Sequence, residues 1–233
     1  MKKVIAITAT LLALTGAMPS YATNTVTVDI TNITHGTWFT PLLVVAHRGN
    51  VDLFEVGEVA SAALERAAEE GDVTGLKGIA VGLGASVAVA NPAPMGPGES
   101  ATAEVDITGG NRFISVVGML LPTNDGFVGL DSVRVRSHKR VVYANGYDAG
   151  TEINDELLAP GAPGATGPGI PGDPSGAAGG GGLFPGATTV ELNTHIHLHP
   201  GVVGDSDPTG GISDLDPAVH NWQNPVARIV ISR

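Results

Sequence analysis

An apolar run, FISVVGMLL from Phe113 to Leu121, halts at Pro122 and restricts this chain more than any other stretch. It has the length of a strand buried on both faces and falls well short of the roughly 20 residues a membrane-spanning helix needs. Beyond the proline comes Thr123-Asn124-Asp125-Gly126, four residues with strong turn chemistry. Phe127-Val128-Gly129-Leu130 then leads through Asp131 into an alternation, with Val133 and Val135 on one face and Arg134 and Arg136 on the other. A second acidic turn, YDAGTE from Tyr147 to Glu152, closes the region. Carboxylates thus gather in turns while the strands between them supply apolar faces. That layout suits a hard-cation site at one end of a β-sandwich.

The same two-residue period recurs elsewhere. Residues 25–33 set Val26, Val28 and Ile30 against Thr27, Asp29 and Thr31, and residues 101–107 set Ala103, Val105 and Ile107 against Thr102, Glu104 and Asp106. Residues 38–46 and 226–231 also read as extended. Residues 188–199 alternate as well, directing Val190, Leu192, Ile196 and Leu198 to the core. One helix is expected over residues 58–70, stopped by Gly71, with Glu65, Arg66, Glu69 and Glu70 off its apolar face. Residues 79–90 read as a strand weakened by Gly82 and Gly84. Residues 160–182 are nearly all Gly, Pro, Ala and Ser without a sustained three-residue period, which excludes collagen and predicts a flexible surface insertion. The expected architecture is all-β, with one short helix and long loops, forming a single domain over residues 23–233.

Residues 1–22 stand apart from that domain. Lys2 and Lys3, an apolar stretch over 4–17 and small residues at Ser20-Tyr21-Ala22 have the form of a secretory signal peptide cut after Ala22. The expected location is therefore secreted or periplasmic. Removing the two lysines leaves 10 basic against 23 acidic side chains, a net charge of −13. Such a chain is a poor nucleic-acid partner, because that affinity rests on clustered Lys and Arg. No later run reaches spanning length, so the mature chain should have no transmembrane helix. The sequence has no cysteine, which removes disulfides and thiolate chemistry.

Two sets of residues could bind metal. Calcium takes six to eight oxygens from carboxylates, carbonyls and water. Asp148 and Glu152 flank a glycine-containing turn, and Asp125 would have to reach them through strand pairing. Asp in an Asp-Gly turn can equally well serve the turn alone. Separately, His195, His197 and His199 alternate along one strand face, roughly 6.5–7 Å apart at strand rise. This is a spacing two ligands of one transition metal can span. No G-x-S-x-G, H-E-x-x-H or Walker loop is present, so no enzyme is expected.

The segments ISVVGMLLPTNDGFVGLDS, YDAGTE and PVARIVISR, in that order, resemble the spondin N-terminal domain of the F-spondin and mindin family. PLLVVAHRGNVDLFEVGEVAS resembles stand-alone bacterial members. The resemblance spans most of residues 25–233. It implies an antiparallel β-sandwich that binds one calcium ion at a loop end, through positions matching Asp125, Asp148 and Glu152. The last of these is an aspartate in the family pattern, and Asp131 is held as a reserve ligand. The resemblance also implies adhesion-like or matrix-like binding to a protein or extracellular surface. The repeats that accompany animal members are missing here, so their integrin and guidance roles do not carry over.

Overall fold

The computed structural model describes residues 24–158, 169–179, 182, 193–207 and 209–233. The expected signal peptide and residues 188–192 of the expected strand over 188–199 lie outside them. Ten strands build one antiparallel sheet: β1 (Thr25–Asn32), β2 (Trp38–Phe39), β3 (Leu42–His47), β4 (Ser86–Ala90), β5 (Ser100–Asp106), β6 (Phe113–Leu121), β7 (Gly126–Arg134), β8 (Arg140–Asp148), β9 (His197–Leu198) and β10 (Ala227–Ser232). The main path runs β4-β3-β6-β7-β8-β10-β1-β5, with β2 on β6 and β9 on β8. The sheet curls until its two ends meet. Ser86 on β4 accepts the Asp106 N–H of β5 at 2.9 Å. The all-β antiparallel expectation is borne out, as a single nearly closed sheet whose opposed halves enclose the core.

Burial explains the two kinds of strand pattern. β1 alternates half-buried with buried because only its inner face, Val26, Val28 and Ile30, meets the interior. β3 and β6 are buried along nearly their whole length. Their inner residues, such as Val44 and Val116, join that interior, while Leu43, Val45 and Val117 face outward into a second apolar layer. Helices cover that outer layer, so both faces select apolar side chains.

The covering helices are α1 (Ala62–Glu69) and α2 (Thr74–Gly82). Ser61 caps α1 by accepting the Leu64 N–H, and Leu64, Ala67 and Ala68 press onto the sheet. Helix α2 corrects the reading of residues 79–90 as a strand throughout. Its glycines and β-branched residues give it low helical propensity. Burial of Leu76 and Ala80 in the outer apolar layer holds it in place. A third short helix, α3 (Pro217–His220), is capped by Asp216, so the described residues hold three α-helices where one was expected.

Strand β10 lies between β8 and β1, so the C-terminal residues complete the middle of the sheet. Part of the Gly/Pro-rich insertion also meets the domain. Ile170 is fully buried, bridges to Leu158 and clusters with Val202 and Leu215.

Candidate metal centre

Strand register builds this end of the sheet. Gly126 at the start of β7 pairs with Asp148 at the end of β8, so Asp125 arrives beside Asp148 although 23 residues separate them. The Ala149 N–H donates to the Asp125 carbonyl at 3.2 Å and extends the pairing. The chain then turns sharply. Asp148 Oδ1 accepts the Gly150 N–H at 2.8 Å, and Gly150 adopts φ +69°, a conformation glycine reaches without strain. This turn aims the N–H groups of Thr151 and Glu152 back at Asp125 Oδ2, at 2.8 and 3.1 Å. Asn154 donates its amide to Asp148 Oδ2 at 2.6 Å.

Asp125, Asp148 and Glu152, named from the sequence, all lie fully buried at this one end. Two further carboxylates join them. Asp155 is fully buried just beyond the turn, and Glu69 at the end of α1 is 7% exposed. The helical pattern placed Glu69 off the apolar face; the structure instead turns it toward Thr151 and Glu152. Its role was not visible in the sequence, since docking of α1 on the sheet decides it. For Asp155 there was a signal, the density of acids over residues 148–156. Asn124, read only as a turn former, donates its amide to Asp155 Oδ1 at 3.0 Å and to Glu152 Oε1 at 3.4 Å.

Carboxylates dominate the electrostatics, with His197 Nδ1 3.8 Å from Asp148 Oδ1. Among the described residues, the ion pairs made by Lys or Arg are those of Arg66 with Glu70 and Asp72, and neither reaches this cluster. Burial pushes the Asp125 carboxyl well above the usual carboxylate range, and the Asp148 charge adds to the rise against the opposing Thr151 and Glu152 hydrogen bonds. Burial likewise raises Glu152 to about 7, opposed by hydrogen bonds from Gly169 and Asn124 and reinforced by Glu69 and Asp155. Glu69 is raised too, chiefly by burial. Three buried oxygens, Asp125 Oδ1, Glu152 Oε2 and Asp155 Oδ2, have no hydrogen-bond partner. A buried acceptor without a donor is costly, and an ionised one far more so. The donor set is all oxygen, as calcium requires. A hard cation therefore fits these residues, although among the described residues no three His, Asp or Glu side chains already surround one point as ligands.

The other sequence candidates fall elsewhere. Asp131 lies five residues along β7 from Gly126, about 16 Å at strand rise. Its neighbours are Ser115, Ser132, Asp52 and His47, so it is not part of the cluster. The three histidines do not share a face. His195 is exposed, whereas His199 is buried against Trp222 with ring centroids 5.1 Å apart. Burial lowers the His199 imidazole to about 4, and its Nδ1 accepts the Gly201 N–H at 3.0 Å. Leu198, expected in the core, is 54% exposed. Strand alternation fails here because, among the described residues, only His197 and Leu198 are paired as a strand, in a two-residue β9. A hollow of about 120 Å³ includes Asp205, Asp207, Asp214 and Asp216 in its lining, but each of these carboxylates accepts backbone N–H groups.

The fold and this loop end define an antiparallel β domain whose β6–β7 turn and post-β8 turn are joined through buried carboxylates. The chain belongs to the spondin N-terminal domain family, Spondin_N, whose model matches residues 27–163. The match takes in both turns, and β10 lies beyond it. No curated protein matches the chain.

Proposed function

We propose that this protein is an exported, non-enzymatic calcium-binding module that contacts an extracellular surface, matrix or protein partner through the loop end described above. The observation that carries the reading is the set of buried, unpartnered carboxylate oxygens in a cluster without Lys or Arg. Asp125 and Asp148 would hold the ion, with Glu152 as the third carboxylate. Bound calcium supplies positive charge there. The protein's own part is to tie the β6–β7 turn to the turn after β8, which fixes the shape of that end of the sheet. Export rests on the form of residues 1–22, and partner binding rests on family membership. Among the described residues no helix is long and apolar enough to cross a membrane.

The test is thermal unfolding of the chelator-stripped protein, titrated separately with calcium and with zinc. A rise in Tm with calcium that Asp148→Ala removes supports the proposal. No response to calcium overturns it. A response to zinc alone that depends on His195, His197 and His199 would transfer the function to those histidines, a reading disfavoured by the exposure of His195 and the burial of His199.

A further inference from the structure

Hydrogen bonds divide the buried carboxylates into two groups. The turn after β8 ties Asp125 to Asp148, its Thr151 and Glu152 N–H groups donating to Asp125 and its Gly150 N–H to Asp148, whereas the Asn124 amide ties Glu152 to Asp155. The cluster therefore has two poles. Each pole carries unpartnered oxygens: Asp125 Oδ1 at one, Glu152 Oε2 and Asp155 Oδ2 at the other.

The second pole is built rather than incidental. A single amide, Asn124 Nδ2, donates to Glu152 Oε1 and Asp155 Oδ1, and the Gly169 and Leu157 N–H groups reinforce these at 2.7 and 3.0 Å. One oxygen of each carboxylate is thereby anchored and the other left free. The next residue, Glu156, sits at φ +59° and is 5% exposed. Its carboxylate accepts the N–H groups of Val203 and Gly204 and the Ser213 hydroxyl, at 2.6 to 2.7 Å. Its own N–H donates to Asn124 Oδ1 at 3.2 Å. Asp155 is thus held in place from both sides. A dication held by Asp125, Asp148 and Glu152 would leave Asp155 and Glu69 buried without a cationic partner of their own, and charges in that position call for pairing.

We infer that Glu152 and Asp155, positioned by Asn124, form a second cation position beside the Asp125–Asp148 pole, so that the site takes two calcium ions. This rests on the calcium-binding reading above. Glutamate at position 152 suits the arrangement, because its longer side chain reaches the Gly169 N–H and Asn124 while its backbone N–H still caps Asp125.

The test counts calcium bound to the chelator-stripped protein by native mass spectrometry and equilibrium dialysis. Two ions per chain are expected, falling to one in Asp155→Asn and to one in Asp125→Asn. Asn at 155 keeps the acceptor for Asn124 and Leu157 and removes a buried charge. Its Tm in chelator should therefore equal or exceed that of the unaltered protein, while its calcium-induced shift shrinks. Glu152→Gln, which keeps the acceptor for Gly169, is the second variant should Asp155→Asn fail to fold, and it too should lose an ion. A count of one that Asp125→Asn abolishes and Asp155→Asn leaves at one overturns the second position but keeps the first. A count of zero overturns both.

Discussion

Substituting Asp125 in two ways separates its hydrogen bonds from its charge. Oδ2 accepts the N–H groups of Thr151 and Glu152 and the Thr151 hydroxyl, while Oδ1 has no partner. Alanine removes the acceptor and strands two backbone donors, one of them on a fully buried residue. An unsatisfied buried donor costs about 1–3 kcal/mol, so Asp125→Ala should lose roughly 2–5 kcal/mol in chelator, as Thr151 lies near enough to the surface to recover part of its loss. Asparagine keeps an acceptor toward both N–H groups, places an amide where the free oxygen was, and deletes a charge facing Asp148. Its stability in chelator should match or exceed that of the unaltered protein. With free calcium at 100 times Kd, an ion that binds only the folded state adds about 2.7 kcal/mol. Both variants should forgo that increment from the ion at Asp125. Urea unfolding of the three proteins, in chelator and in calcium, yields all six stabilities. If Asn destabilises as much as Ala in chelator, or keeps the full calcium increment, the picture of an unpaired buried carboxylate is refuted.

Three further expectations concern the same end of the sheet. Glu152 has a folded-state value raised from 4.5 to about 7, so its contribution to stability is present below pH 4.5 and is lost as pH rises through 7. In chelator, urea melts across that window should show a larger loss in the unaltered protein than in Glu152→Gln, where the raised Asp125 and Glu69 carboxyls remain. His199, depressed to about 4, contributes the opposite slope between pH 6.5 and 4 in both proteins. Gly150→Ala would place a Cβ at 2.7 to 2.8 Å from the backbone of residues 193–195, on a residue with positive φ. It should lower stability by about 1–3 kcal/mol and weaken calcium binding, measurable by calorimetry. Phe127→Ala empties a fully buried position that packs edge-on to Phe54, with centroids 5.1 Å apart, and should cost about 3–5 kcal/mol in urea unfolding.

Much of the fold was legible because its signals are local. A two-residue period reports one buried face wherever a strand has one, as in β1 and β5, and a continuous apolar run reports two, as in β6. Helix α2 was missed because its own sequence disfavours a helix and only contact with the sheet supplies the balance. The expected histidine face failed for the complementary reason. Alternation describes a paired strand, and among the described residues of that segment only His197 and Leu198 form one.

The sequence by itself determined a β protein with acidic turns at Asp125 and at Asp148 to Glu152, and its resemblance to the spondin N-terminal domain implied antiparallel pairing and named those three positions. Turn chemistry and side-chain period act over a few residues, so they can be read directly from the chain. Only the tertiary structure decided that Gly126 pairs with Asp148, that α1 delivers Glu69, and that Asn124 holds Glu152 beside Asp155. Those juxtapositions join residues far apart in the chain through sheet register and helix docking. Burial, which raises the carboxyl groups of Asp125, Glu152 and Glu69 above their usual range, exists only once the sheet has closed around them.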